Sequence, residues 1–141
     1  MAPERQDAEF ALLKALDARP DKPALGICLG MQMMGFHRGA TLIQHLPDVI
    51  ANGERHRNDA IHAVDAVRGS PLSSGLVRSW HHQAITDVKG FDIIAHSDDG
   101  VVEGIIDPAR RFYVGVQWHP ERTEAEETGL AVVRALVDAS R

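Results

Sequence analysis

Apolar residues fall at helical spacing in the first stretch of the chain. Phe10, Leu13 and Leu16, with Leu12 beside them, mark Glu4 to Ala18 as an amphipathic helix. Pro3 suits the first turn, the acidic Glu4 and Asp7 suit its N-terminal end, and Pro20 and Pro23 stop it. Ala24 to Ile27 is apolar on both faces, the mark of a strand buried in a parallel sheet. A second helix is expected from Leu29 to about His37, with Met31, Met33 and Met34 as adaptable core filler. Gly35 and Gly39 end it, and Thr41-Leu42-Ile43 follows. Gln44 to Asp59 loses periodicity and carries turn signals at Pro47-Asp48 and Asn52-Gly53, so it is expected as a long surface loop bordering a site.

Alternation resumes further along. Strands are expected at Ala60–Val67, Val77–Trp80, Phe91–His96, Val101–Ile106 and Phe112–Gln117, with a single helical turn at Leu72–Leu76. Asp98-Asp99-Gly100 forms a tight turn that folds the third and fourth of these into a hairpin, and Asp107-Pro108 turns into the last. After a loop from Trp118 to Arg122, Thr123 is placed to cap a final helix, Glu124–Ala139. Its apolar stripe is Leu130, Val133, Leu136 and Val137, with Ala131 beside it. No repeat or linker interrupts residues 1–141, which read as one α/β domain.

Charge and composition narrow the function. The 141 residues carry a formal net charge of -5 and no dense Lys/Arg block, which argues against a nucleic-acid partner. A single cysteine excludes an internal disulfide framework and fits a reducing compartment. No apolar run is long enough to span a bilayer, and Met1-Ala2-Pro3-Glu4-Arg5 lacks a signal-peptide core, so a cytoplasmic location is expected. The eight histidines lack a tight ligand pattern with cysteines or carboxylates, so neither a metal nor another cofactor is expected.

Two stretches carry chemistry. Gly26-Ile27-Cys28-Leu29-Gly30 is the thiol form of a nucleophile elbow: a strained turn from strand to helix, with small residues beside the nucleophile. The first amides of the following helix would lower the thiol pKa and stabilise a substrate oxyanion. The alternative is a small buried hydrophobe, the usual fate of a free cysteine. In Gly115-Val116-Gln117-Trp118-His119-Pro120-Glu121, Pro120 can turn His119 and Glu121 toward one cleft. There the imidazole would take the Cys28 proton and the carboxylate would fix its tautomer. Both stretches follow the C-terminal ends of expected strands, where ligand sites of open α/β sheets form. Trp118 either walls that pocket or fills the core.

These two stretches resemble the signatures of class I glutamine amidotransferase domains. Within that superfamily the chain is most similar to the gamma-glutamyl-gamma-aminobutyrate hydrolase family, on Gly39-Ala40-Thr41-Leu42, Ser79-Trp80-His81-His82-Gln83-Ala84-Ile85 and Asp98-Asp99-Gly100-Val101-Val102-Glu103. The resemblance runs from about Pro3 to the C-terminus, and at Glu121-Arg122 it departs from the aromatic that often follows the glutamate in close relatives. It implies a flavodoxin-like three-layer fold, a parallel sheet with added antiparallel strands, lacking the family's N-terminal strands. It also implies a cysteine hydrolase of gamma-glutamyl amides that works through a thioester. Cys28 would be the nucleophile, His119 the base and acid, Glu121 its orienter, and the Leu29 N–H one oxyanion donor. Gln32 and the backbone around His82 and Gln83 match positions that contact the glutamyl group.

The resemblance further implies that a segment which in relatives supplies the second oxyanion donor and much of the central sheet is absent here. Without a neighbouring strand, Ala24–Ile27 is expected at or near a sheet edge, where a second copy or a partner could pair with it. The loop Gln44–Asp59 is expected to help choose the amine leaving group. Two other readings remain: a glutaminase subunit that passes ammonia to a synthase, and a non-catalytic interaction module.

Overall fold

The computed structural model describes residues 2–141. Helix α1 (Pro3–Asp17) leads through a proline-rich turn into strand β1 (Ala24–Ile27), which passes at Cys28 into α2 (Leu29–His37). Strand β2 (Thr41–Ile43), β3 (Ala60–Ala66), β4 (Gly75–Ser79), β5 (Ala84–Thr86), β6 (Asp92–Ser97), β7 (Val102–Ile106) and β8 (Tyr113–Val116) precede the final helix α3 (Leu130–Ala139). Six strands form one sheet in the order β1-β8-β7-β6-β3-β4, and β2 pairs with β5 apart from it. The only parallel pair in these sheets is β1 with β8; the other pairings are antiparallel. The antiparallel share is therefore larger than the sequence suggested, and β1 lies at an edge, as expected.

Helices cover both faces. On one, Leu13 of α1 and Met31, Met33 and Met34 of α2 pack against Val102, Ile105 and Tyr113. On the other, Val132 of α3 packs with Val64, Val77, Ile94, Val114, Val116 and Trp118. Period-two alternation assigns the faces: Tyr113 looks toward α2, while Val114 and Val116 look toward α3. Gly26 and Gly115 are register partners on the α2 side. A Cβ on Gly26 would lie 2.8 Å from the Gly30 carbonyl carbon, and one on Gly115 2.8 Å from Met31 Cγ. The two glycines thus let α2 press onto the sheet and fix where the elbow projects. Gly30 has nothing within 4 Å of its notional Cβ, so the steric need for small residues falls on Gly26 alone.

Several expectations are corrected. Gln44–Asp59 is folded rather than looped: 3₁₀ turns at Leu46–Asp48 and Gly53–His56 bury Leu46 and His56 completely. Leu46 joins Ala84 and Val101 in a small core of its own. Leu72–Leu76 is not helical, because Gly75 already opens β4, and Leu72 fills the space above Gly104. Strand β5, at three residues, is too short for alternation to reveal it.

The last helix starts at Leu130, not Glu124. Trp118 Nε1 donates to the Thr128 carbonyl (2.8 Å) and Thr128 Oγ1 to the Leu76 carbonyl, which hold the preceding segment in a non-helical path. Thr123 does not cap this helix: its hydroxyl accepts from the Arg78 amide and donates to the His119 carbonyl (2.9 Å). The inward stripe is Val132, Ala135, Leu136 and Ala139, a shift in phase that leaves Leu130 and Val137 exposed. No helix among the described residues is long and apolar enough to cross a membrane.

Candidate active site

Cys28 sits where β1 becomes α2. Its amide donates to the Val116 carbonyl (2.8 Å), prolonging the parallel pairing by one residue. Its backbone then turns into the left-handed region, φ 52°. Such a conformation is strained for a residue with a Cβ and persists only where the surroundings impose it. Here the imposed constraint is a strand hydrogen bond on one side and the closely packed α2 on the other. The sulfur is aimed into an open cleft of about 240 Å³ lined also by Leu29, Gln32, Trp80, His82 and Gln83. A second hollow of about 290 Å³ shares Leu29, Gln32 and Gln83 with the first and extends toward Phe36 and Gln44.

A relay of amides crosses the cleft floor. Gln32, almost fully buried, donates from Nε2 to the Gln83 carbonyl (3.2 Å) and to Gln117 Oε1 (3.1 Å). Gln117 Nε2 in turn donates to Cys28 Sγ (3.6 Å), and the thiol reaches the Trp80 carbonyl at 3.8 Å. Gln32 is therefore not the exposed helix polar group that its spacing alone allowed. The His82 carbonyl accepts from the Leu46 amide (2.6 Å), and Gln83 Nε2 donates to Gln44 Oε1 (3.1 Å). These bonds tie the His82-Gln83 backbone to the folded segment after β2. Gln117 is a site residue that sequence reasoning missed; its one signal in the sequence is a polar residue closing an apolar strand, and the structure buries it completely.

His119 and Glu121 follow β8 on a 3₁₀ turn, Pro120–Arg122. His119 Nδ1–H donates to Glu121 Oε1 at 2.6 Å, which fixes the tautomer and leaves Nε2 free to take a proton. Among the described residues, Cys28 makes its side-chain hydrogen bonds with Trp80 and Gln117, not with His119. The structure thus brings Cys28, Leu29, Gln32, His82 and Gln83 together around one cleft, and joins His119 to Glu121 beside it. Trp118 is completely buried among core residues and is not a pocket wall.

Burial pushes the Cys28 thiol up from its ordinary value. The Leu29 N–H and the Gln117 amide pull it down, while the Glu121 and Glu103 charges push it further up. The expected lowering by the helix N-terminus is present but outweighed, so the resting group is a thiol.

Behind the cleft lies a polar cluster that sequence spacing did not suggest. His56, His62, His81 and Glu103 are buried together. The Glu103 carboxylate is disfavoured by burial, yet the surrounding His56, His81 and His62 hold it below the usual range, so it stays ionised. Burial opposes charge on His56, but Glu103 and Asp99 raise it overall; His62 is lowered by burial. His56, His81 and Glu103 present ligand atoms within 4.8 Å of one another, so among the described residues these three could hold a metal ion.

Both the sequence and the fold match known proteins. The family described as Peptidase C26 matches residues 1–121. A Mycobacterium tuberculosis protein with a provisional glutamine amidotransferase name is 39% identical over 98% of this chain and 46% of its own length. The glutamine-hydrolysing GMP synthase of Albidiferax ferrireducens is 31% identical over 82% of this chain and 22% of its own. A Thermoplasma acidophilum crystal structure, provisionally named as one component of a GMP synthase, superposes with a TM-score of 0.73 at 23% identity, covering 97% of this chain and 66% of that one. The chain spans about half to two thirds of the length of three amidotransferase-like relatives that it matches.

Proposed function

This chain belongs to the Peptidase C26 family, within the class I glutamine amidotransferase-like superfamily, and from that premise we propose that it cleaves gamma-glutamyl amide bonds through Cys28. The observation that carries this reading is the left-handed Cys28 elbow opening on a cleft floored by the Gln32–Gln117 amides. Cys28 Sγ attacks the gamma-carbonyl carbon while its proton passes to His119 Nε2. The charge developing on the carbonyl oxygen is met by the Leu29 N–H at the start of α2. The amine departs with the proton from His119, leaving a gamma-glutamyl thioester on Cys28. Water, deprotonated by His119, attacks the thioester, releasing a gamma-carboxylate and restoring the thiol. Glu121 holds the imidazole in its working tautomer and stabilises the imidazolium. Gln32 and the His82-Gln83 backbone supply the polar groups that hold the glutamyl moiety.

A resting thiol suits this scheme, because proton transfer to His119 accompanies attack instead of preceding it. For that step His119 Nε2 must come within hydrogen-bond reach of Sγ, as catalytic contacts often do only once substrate is bound.

Intact mass after exposure to an electrophilic glutamine analogue tests the proposal. One adduct per chain is expected at neutral pH, and none in Cys28→Ala. A folded chain that takes up no analogue would overturn it and leave the interaction-module reading. The similarity to a glutamine-hydrolysing GMP synthase favours one further reading, a glutaminase that passes ammonia to a synthase. Glutamine hydrolysis stimulated by a partner protein would favour that reading; turnover of gamma-glutamyl amines by the chain alone favours the hydrolase. In either case the free edge of β1 is proposed as a pairing surface for a second copy or a partner.

A further inference from the structure

Glu103 on β7 is completely buried, and among the described residues neither carboxylate oxygen has a hydrogen-bond partner. Among the described residues four other buried side-chain atoms are likewise unpartnered, and two of them, His56 Nδ1 and His81 Nε2, face this carboxylate. His56 Nδ1 lies 3.3 Å from Glu103 Oε1 and His81 Nε2 lies 3.8 Å from the same oxygen. A buried carboxylate left this way is costly, and native folds rarely leave several such atoms facing one point.

We propose that His56 Nδ1, His81 Nε2 and Glu103 bind a zinc-class divalent ion that staples the cleft wall to the central sheet. Three observations converge on it. First, the separations are long for charge-assisted N–H···O bonds, which run about 2.7–2.9 Å. The His56–Glu103 separation matches ligand atoms around one tetrahedral ion, which sit about 3.3–3.4 Å apart when each bond is about 2.0–2.1 Å, and His81 stands a few tenths of an ångström further out. Second, each imidazole is already oriented through its other nitrogen. His56 Nε2–H donates to Asp99 Oδ2 (2.7 Å), and Asp99 is held by the Ser97 hydroxyl and the Val101 amide. His81 Nδ1–H donates to the Gln83 carbonyl (2.7 Å). A carboxylate on one ligand and a carbonyl on the other are the usual outer partners of metal-bound histidines, and they aim the free nitrogens inward.

Third, the donor set selects the ion. His62 Nε2, 3.7 Å from Glu103 Oε1, is taken up by the Ser79 hydroxyl at 2.6 Å and stands outside the ligand set, which leaves two imidazoles and one carboxylate. Imidazole nitrogens with one carboxylate oxygen suit Zn²⁺ better than Ca²⁺ or Mg²⁺, which prefer oxygen shells. All three ligand residues are buried from solvent, so the ion serves structure, not catalysis. It joins the 3₁₀ turn at Gly53–His56, the connection from β4 to β5, and β7. Because His81 precedes His82 and Gln83, the ion would set the wall of the Cys28 cleft.

A proton on His56 could also balance the Glu103 charge, and experiment separates the two. The full chain, loaded with Zn²⁺ and passed through a desalting column, is analysed for metal by mass spectrometry, with Co²⁺ loading read by visible absorption. One ion per chain is expected, with a tetrahedral Co²⁺ spectrum. Cys28→Ala should retain both, which rules out binding at the nucleophile. His81→Ala and Glu103→Gln should each lose at least tenfold in affinity. If those variants do not fold, the parent decides: added Zn²⁺ should raise its melting temperature and a chelator reverse that. A folded parent that binds neither metal and whose melting temperature ignores Zn²⁺ would overturn the site in favour of the proton. These readouts do not depend on hydrolysis, so they stand or fall apart from the proposed activity.

Discussion

Cys28 is held by opposing influences of unequal size. Burial dominates and keeps the thiol protonated, while one helix amide and the Gln117 donor work the other way. A small neutral alkylating agent reacts with the thiolate alone. Below the raised pKa the thiolate fraction grows tenfold for each unit of pH. Iodoacetamide alkylation of Cys28 should therefore climb about tenfold per unit across the whole neutral range and into mild alkali. A rate that levels off at or below neutrality would show a pre-formed thiolate and contradict the balance described here. At this scale the elbow was legible, because its residues are adjacent in sequence and carry their own steric logic. Gln117 was only half legible, as a buried amide is indistinguishable in a string from an exposed one. His56, His81 and Glu103 were illegible as a group, since nothing in their spacing reveals that three elements fold onto one point.

Elements are joined by close contact more than by periodicity. The approach of α2 to the sheet depends on Gly26, whose notional Cβ meets backbone on α2 at 2.8–2.9 Å, atoms that cannot rotate away. Gly26→Ala should destabilise the fold by about 1–3 kcal/mol, the usual cost of overpacking, and slow analogue labelling by moving the elbow. Gly30→Ala meets open space inside a helix and should leave the melting temperature unchanged or raise it, by up to about 1 kcal/mol of stability. Thermal melts of the two variants side by side check this; equal destabilisation would refute the assignment. The sequence made the two glycines look equivalent, flanking Cys28 symmetrically, and only the depth of α2 separates them. The late start of α3 has a similar origin: Trp118 and Thr128 side chains take up backbone and strand carbonyls that no helical pattern records. Strand β1, by contrast, was legible to the residue, because an apolar run between Pro23 and a glycine-rich turn leaves few alternatives.

At the scale of the molecule, the sheet is closed by neighbours everywhere except at its two outer strands, β1 and β4. The β1 edge differs in kind from an ordinary rim. A hollow of about 270 Å³ runs beside it between α1 and α2, floored by Leu13, Ala24, Gly26 and Met34 and flanked by the exposed Leu12. An apolar groove along an unpaired strand offers a second chain both backbone hydrogen bonds and a place for side chains, which is the combination that drives edge pairing. The chain should therefore associate with rising concentration, sedimenting above its 15.4 kDa monomer mass. Leu12→Glu puts a charge at the groove lip without touching the core, and should restore the monomer while the melting temperature of the dilute protein is unchanged. Association that persists in Leu12→Glu would move the contact elsewhere, and a monomer at every concentration would mean the edge is guarded well enough alone. The distinction bears on activity, because β1 leads directly into Cys28: whatever grips that edge also steadies the backbone on which the strained elbow is built.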